Sequence, residues 1–149
     1  MRYAGDALNK ALIKLLEIDN LVEEPVGTQI SVYTEVPLNS SFPMIILEPT
    51  TATEEDVSKS NVDQSHVINV EVVSKFNQGD GGWGANNRVI NQITQLVRGI
   101  GVTMDLSADG FKVTTQTIRS IQPIRESYDD GVYFRTILIL EIVIQDTTE

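Results

Sequence analysis

The stretch Ser74-Lys75-Phe76-Asn77-Gln78-Gly79-Asp80-Gly81-Gly82-Trp83-Gly84-Ala85-Asn86-Asn87 joins an alternating strand pattern to an amphipathic helix pattern. Before it, His66, Ile68, Val70 and Val72 share one strand face, and Val67, Asn69, Glu71 and Val73 share the other. After it, Val89, Ile90, Ile93, Leu96, Val97 and Ile100 fall at three- and four-residue spacings, which predicts a helix over about 83–100. Glycine allows positive φ and close backbone approach, and tryptophan supplies a large apolar anchor. Gly79, Gly81, Gly82 and Trp83 are therefore read as a structural turn and helix anchor that sets how this helix folds back onto a sheet.

The remaining pattern supplies the other elements. Ala4, Leu8, Ala11, Leu12 and Leu15 give a first helix over about 2–18, and Gly5 weakens its opening turn. Residues 21–27 read as a connector closed by Pro25 and Gly27. Ile30, Val32 and Thr34 alternate with Ser31 and Tyr33, a strand over about 29–35. Met44, Ile45, Ile46 and Leu47 form an apolar run consistent with a strand buried on both faces. Residues 50–64 are polar and without periodicity, so they read as a long exposed loop or arm. Its Glu54, Glu55, Asp56 and Lys59 are the candidate inter-subunit residues. Two last strands, over about 111–124 and 132–145, meet at the hairpin signal Asp130-Gly131. Val132, Phe134, Thr136, Leu138, Leu140, Ile142 and Ile144 share one face of the final strand. Pro123 cannot donate to a ladder and belongs at an edge, bend or bulge. The order predicts an α+β fold, a mainly antiparallel sheet of about five strands with two helices packed on one face.

At 149 residues and 41 % apolar, the chain suits one compact domain over 1–149 with a real core. Its net charge is −10, from 21 acidic and 11 basic side chains, which disfavours tight binding to phosphate backbones. Cysteine is absent, so thiolate chemistry and disulfides are excluded. No signal-peptide layout opens the chain and no apolar run reaches the ~20 residues of a membrane span, so an intracellular protein without a membrane anchor is expected.

Catalytic and cofactor patterns are weak. Gly79, Gly81 and Gly84 match G-x-G-x-x-G literally, which raises a nucleotide- or small-ligand-binding module as the alternative function. That fingerprint needs a parallel βαβ unit, whereas Asp80 sets a carboxylate where phosphate would lie and the later strands do not alternate with helices. No G-K-[ST] follows, which excludes a P-loop. His66 is the lone histidine and has no partners at triad or metal spacing, so it reads as packed. Glu54-Glu55-Asp56 lacks the alternating ligands of a calcium loop. Phe76 and Trp83 have no basic stripe beside them and read as core rather than base-stacking platforms. An enzyme is not expected, nor a metal or other cofactor.

The strand ending in Ser74-Lys75 and leading through Gly81-Gly82-Trp83 into a helix resembles the phage tail terminator (tail completion) family. Tyr3-Ala4-Gly5-Asp6-Ala7-Leu8 resembles the opening of that family's first helix. Val36-Pro37 and Phe42-Pro43-Met44-Ile45-Ile46-Leu47 resemble its second-strand region, and Ala108-Asp109-Gly110-Phe111 with Asp129-Asp130-Gly131-Val132-Tyr133 its final hairpin. The resemblance implies a virion structural protein, assembled in the host cytoplasm. It implies a homo-oligomeric ring, typically a hexamer, at the head-proximal end of the tail. The ring terminates the tail tube, touches the tail tube protein and head-completion or neck proteins, and passes DNA through a channel without gripping it.

Overall fold

A computed structural model describes residues 3–17, 22–23, 28–35, 42–56, 62–98 and 104–147. Among them the elements are α1 (Gly5–Glu17), β1 (Val22–Glu23), β2 (Thr28–Gln29), β3 (Ser31–Tyr33), β4 (Met44–Asp56), β5 (Val62–Phe76), α2 (Gly84–Arg98), a 3-10 turn (Ser107–Asp109), β6 (Phe111–Tyr128) and β7 (Gly131–Asp146). β1 and β2 form a small antiparallel pair where the sequence reads as a connector. Five strands make the main sheet in the order β3-β4-β5-β7-β6. Three of its pairings are antiparallel and β3-β4 is parallel, so the sheet is mixed rather than uniformly antiparallel. The fold is α+β.

The core follows from alternation. Successive side chains of a strand point to opposite faces. Along β7 every second residue from Val132 to Ile144 is buried, Thr136 included. On β5 the same face carries Gln64, His66, Ile68, Val70 and Val72, all buried. Leu8, Leu12 and Leu16 of α1 and Val89, Ile93 and Val97 of α2 belong to one cluster with Ile68, Val70, Val72, Leu138, Leu140, Ile142 and Ile144. The opposite face of β7 carries Tyr133, Arg135, Ile137, Ile139, Glu141, Val143 and Gln145, all half-buried.

The greatest departure from expectation lies at 50–64. This segment is not a loop. β4 extends to Asp56 and β5 begins at Val62, with Glu54 opposite Gln64, Glu55 opposite Asp63 and Asp56 opposite Val62. Thr51, Ala52, Thr53 and Glu54 are exposed, so the strand has no buried apolar set to betray its period. Lys59 lies outside the described residues, as does Ile100 at the end of the predicted second helix. Pro123 sits, as expected, on the edge strand β6, and Tyr128 opposite Gly131 closes the predicted hairpin.

Substitution should separate core from arm. Leu140→Ala deletes a fully buried side chain and is expected to cost about 2–5 kcal/mol. Thr53→Ala on the exposed arm should stay within about 0.5 kcal/mol. Denaturant unfolding of both variants checks this.

Candidate functional site

The strand-to-helix turn is built as a clasp. Gly79 and Gly81 both have φ +82°, a region L side chains rarely enter, and a Cβ on Gly81 would strike the Phe76 ring at 2.1 Å. Gly82 has no positive φ and open space around it. Trp83 precedes the first turn of α2, and its carbonyl accepts from the Asn87 amide at 2.8 Å. The Trp83 ring, half-buried, meets Phe134 of β7 edge-on at 5.0 Å, and Phe76 meets the same ring at 5.8 Å. Arg125 of β6 lies over Phe134 at 5.9 Å.

Asn86, which the sequence places in the turn without a role, completes the clasp. It is 0 % exposed. Its amide donates to the Phe134 carbonyl at 2.8 Å, to Thr136 Oγ1 at 3.2 Å and to the Val72 carbonyl at 3.3 Å. Its oxygen accepts from the Ser74 hydroxyl. One side chain thus ties the start of α2 to both central strands. A polar residue at a core-facing position, one turn before the apolar stripe, was the signal available.

The lone histidine has a structural setting. His66, 3 % exposed, sets Nε2 at 2.9 Å from Gln64 Oε1, which also accepts from the Ala4 amide at 3.1 Å. An amide oxygen can only accept, so Nε2 carries the proton in the neutral ring. The Tyr3 ring lies 5.6 Å away. Burial pushes the His66 pKa below its usual value. Ser74 stands eight residues further along the same strand, about 26 Å at strand rise, so no Ser-His pair forms. No group of three or more metal-ligating side chains gathers among the described residues.

An open depression of about 540 Å³ at the other end of the β6-β7 hairpin is lined by Tyr128, Asp129, Asp130, Tyr133 and Arg135. Asp130 and Arg135 of this lining are engaged by neighbouring side chains. The Tyr133 hydroxyl donates to Asp130 Oδ2 at 2.7 Å and Lys75 Nζ stands 3.3 Å from the same oxygen, which holds the Asp130 carboxyl below the usual range. Arg135 donates to Glu71 at 2.7 Å and approaches Glu126 at 3.6 Å. On the same face Arg119 Nε donates to Glu141 at 2.6 Å.

Of the other residues singled out from sequence, Glu54, Glu55 and Asp56 lie together at the end of β4. The cations Lys112, Arg119 and Arg125 gather on β6, while Arg88 and Arg98 are exposed on α2. The Gly79, Gly81, Gly84 pattern leads into α2, but β5 is antiparallel to both of its neighbours. The crossover that a dinucleotide fingerprint requires is not built there.

No family model matches the chain, and no curated protein matches it in sequence. Among solved structures it is similar to a chain of the virion of a native gene transfer agent particle. The TM-score is 0.67 at 14 % identity, over 97 % of this chain and 99 % of that one. At that identity the likeness establishes a shared fold.

Two outcomes follow from this geometry. Asn86→Ala leaves two carbonyls and two hydroxyls short of a partner and should cost about 2–4 kcal/mol. Asn86→Asp should cost more, because it turns a carboxylate toward carbonyl oxygens. Thermal unfolding of the two variants tests the order. For His66 the unfolded ring gains its proton as pH falls through about 6.5, whereas the buried ring resists until lower pH. The unfolded state then binds more protons, so stability is flat above about pH 7 and falls below 6.5. Measured against His66→Leu, which lacks this group, the wild-type stability difference should shift in that window alone.

Proposed function

We propose that this chain is a structural protein of a phage-like virion. It forms a ring at the head-proximal end of a tail, terminates the tail tube and joins it to the head or neck. The observation that carries this reading is the fold likeness, nearly end to end in both chains, to a component of a gene transfer agent virion. The tail-terminator resemblance of the glycine turn and the final hairpin narrows the role to the ring of six implied by that family. Residues 1–149 act as one domain, with no catalytic or cofactor chemistry. Both helices cover one face of the sheet, and the other face, with Glu71, Arg135, Glu141 and Arg119, lines the channel. The tail tube protein lies on one side of the ring, head-completion or neck proteins on the other. Gly79, Gly81, Gly82 and Trp83 hold α2 in place, and Glu54, Glu55, Asp56 and Lys59 lie at contacts between subunits.

Paired cations suit a conduit. Arg119 and Arg135 are each held by a carboxylate, so they offer little to a passing phosphate. A protein that neutralises few phosphates binds DNA weakly and with a shallow salt dependence. Light scattering should therefore find a species several times the monomer mass, and electron microscopy a ring. Titration with duplex DNA at two salt concentrations should give weak binding and a small slope. A monomer at every concentration would overturn the ring, and tight, steeply salt-dependent binding would replace the conduit with a gripping role.

A further inference from the structure

Among the described residues the main sheet ends in two uncovered edges of opposite charge. β3 registers on β4 only at Met44, Ile45 and Ile46. Beyond that, no described segment is registered on the outer side of β4 along residues 47–56. At the far side of the sheet β6 is likewise uncovered among the described residues. Uncovered edges are templates for pairing. Residues 47–56 carry Glu48, Glu54, Glu55 and Asp56 and no cation. β6 carries Lys112, Arg119 and Arg125 against one acid, Glu126. In a chain with 21 acids and 11 bases, a strand richer in cations than in acids runs against the overall balance.

Register aligns these features at matching heights. Reading straight across the sheet, Leu47 is level with Val70, Leu138 and Ile121. Glu48 is level with Asn69, Ile139 and Ser120, the neighbour of Arg119. Glu55 is level with Asp63, Gln145 and Lys112. The bare part of β4 therefore spans the same heights as residues 111–121 of β6, a stretch free of proline. Pro123, which cannot donate to a ladder, is level with Thr136, Val72 and Ile45, where β3 already covers β4. β3 on one edge and Pro123 on the other stand at one height; within 47–56 Pro49 removes one donor at the register shift before Thr51, which leaves 51–56 as the uninterrupted run.

We infer that residues 47–56 of one copy pair antiparallel with residues 111–121 of β6 in the next copy, extending one sheet from subunit to subunit. The inference rests on the ring reading above and names its joint. β4 and β6 run in opposite directions within the subunit, since three antiparallel steps separate them. Rotation about an axis along the strands preserves those directions, so the two edges meet antiparallel. The contact is head-to-tail and closes when the rotation closes.

Cysteine pairs test it cleanly in full-length protein, because the chain has no cysteine of its own. Thr51 and Thr117 are exposed and level with one another through Val67 and Glu141. Within a subunit three strand spacings, about 14 Å, separate them, which is beyond disulfide reach. Thr51→Cys protein mixed with Thr117→Cys protein should give a mixed disulfide dimer on mild oxidation, and neither variant alone should. The double variant should give a ladder ending at the ring's size. A crosslink from Thr51→Cys to Thr115→Cys instead supports the joint with a register two residues away. Lys112→Glu should raise the concentration needed for assembly several-fold, and Glu55→Lys in the same chain should restore it. A ring by light scattering with neither cysteine mixture crosslinking overturns the joint and leaves the ring standing. A Thr51→Cys self-dimer overturns the head-to-tail geometry. A protein that stays monomeric and uncrosslinked overturns both readings.

Discussion

Everything in this molecule depends on keeping one face of β5 and β7 dry. Leu138, Leu140, Ile142 and Ile144 are fully buried beside Ile68, Val70 and Val72, in one cluster with apolar residues of α1 and α2 and with Ile30, Val32, Met104, Leu106 and Phe111. A one-residue slip of β7 would send this whole set to the opposite face. That penalty fixes the register of the central strands, and through them the heights of both edges. Both helices contribute buried residues to this cluster, and buried polar contacts tie their first turns to the strands.

Those polar contacts are few and expensive to lose. Asn86 spans two strands from the first turn of α2. Gln64 serves α1 in a related way, since its side chain accepts the Ala4 amide from across the sheet. A side chain reaching back to the amide before a helix is ordinarily the helix's own glutamate or glutamine. Here a strand residue supplies it. Both devices are buried, so each is worth more than a surface bond and more damaging when half-made.

Much of the scaffold was legible because its signals were periodic. The alternation of β7 and the stripe of α2 name their own buried faces, and Asp130-Gly131 marks its turn. His66 reads correctly as packed from strand parity alone. The arm at 54–56 and 62–64 was illegible because two-sided polar strands leave no apolar period to detect. β3 was blurred by brevity: three residues carry less than two repeats of a strand, and their parallel pairing to β4 requires a crossover the pattern could not show. Asn86 was missed because an asparagine near a helix start reads as surface or cap until the strands facing it are known. Of the residues proposed for assembly, the acids of β4 stood out as a cluster, but the cations of β6 are spaced seven and six residues apart and form a set only once the strand is drawn.

The Gln64 contact to Ala4 also sets an order of events. The amide and its acceptor are 60 residues apart in sequence. On a ribosome, α1 emerges long before the strand that holds its first turn. Its apolar side, with Leu8, Leu12 and Leu16, belongs to a cluster that takes in Ile30 and Val32 first and is completed only when Ile68 of β5 and Leu138 of β7 have been made. A 13-residue helix is marginal by itself in water. α1 therefore waits for much of its packing surface, and until β5 and β7 follow it a chaperone would find part of its apolar side exposed.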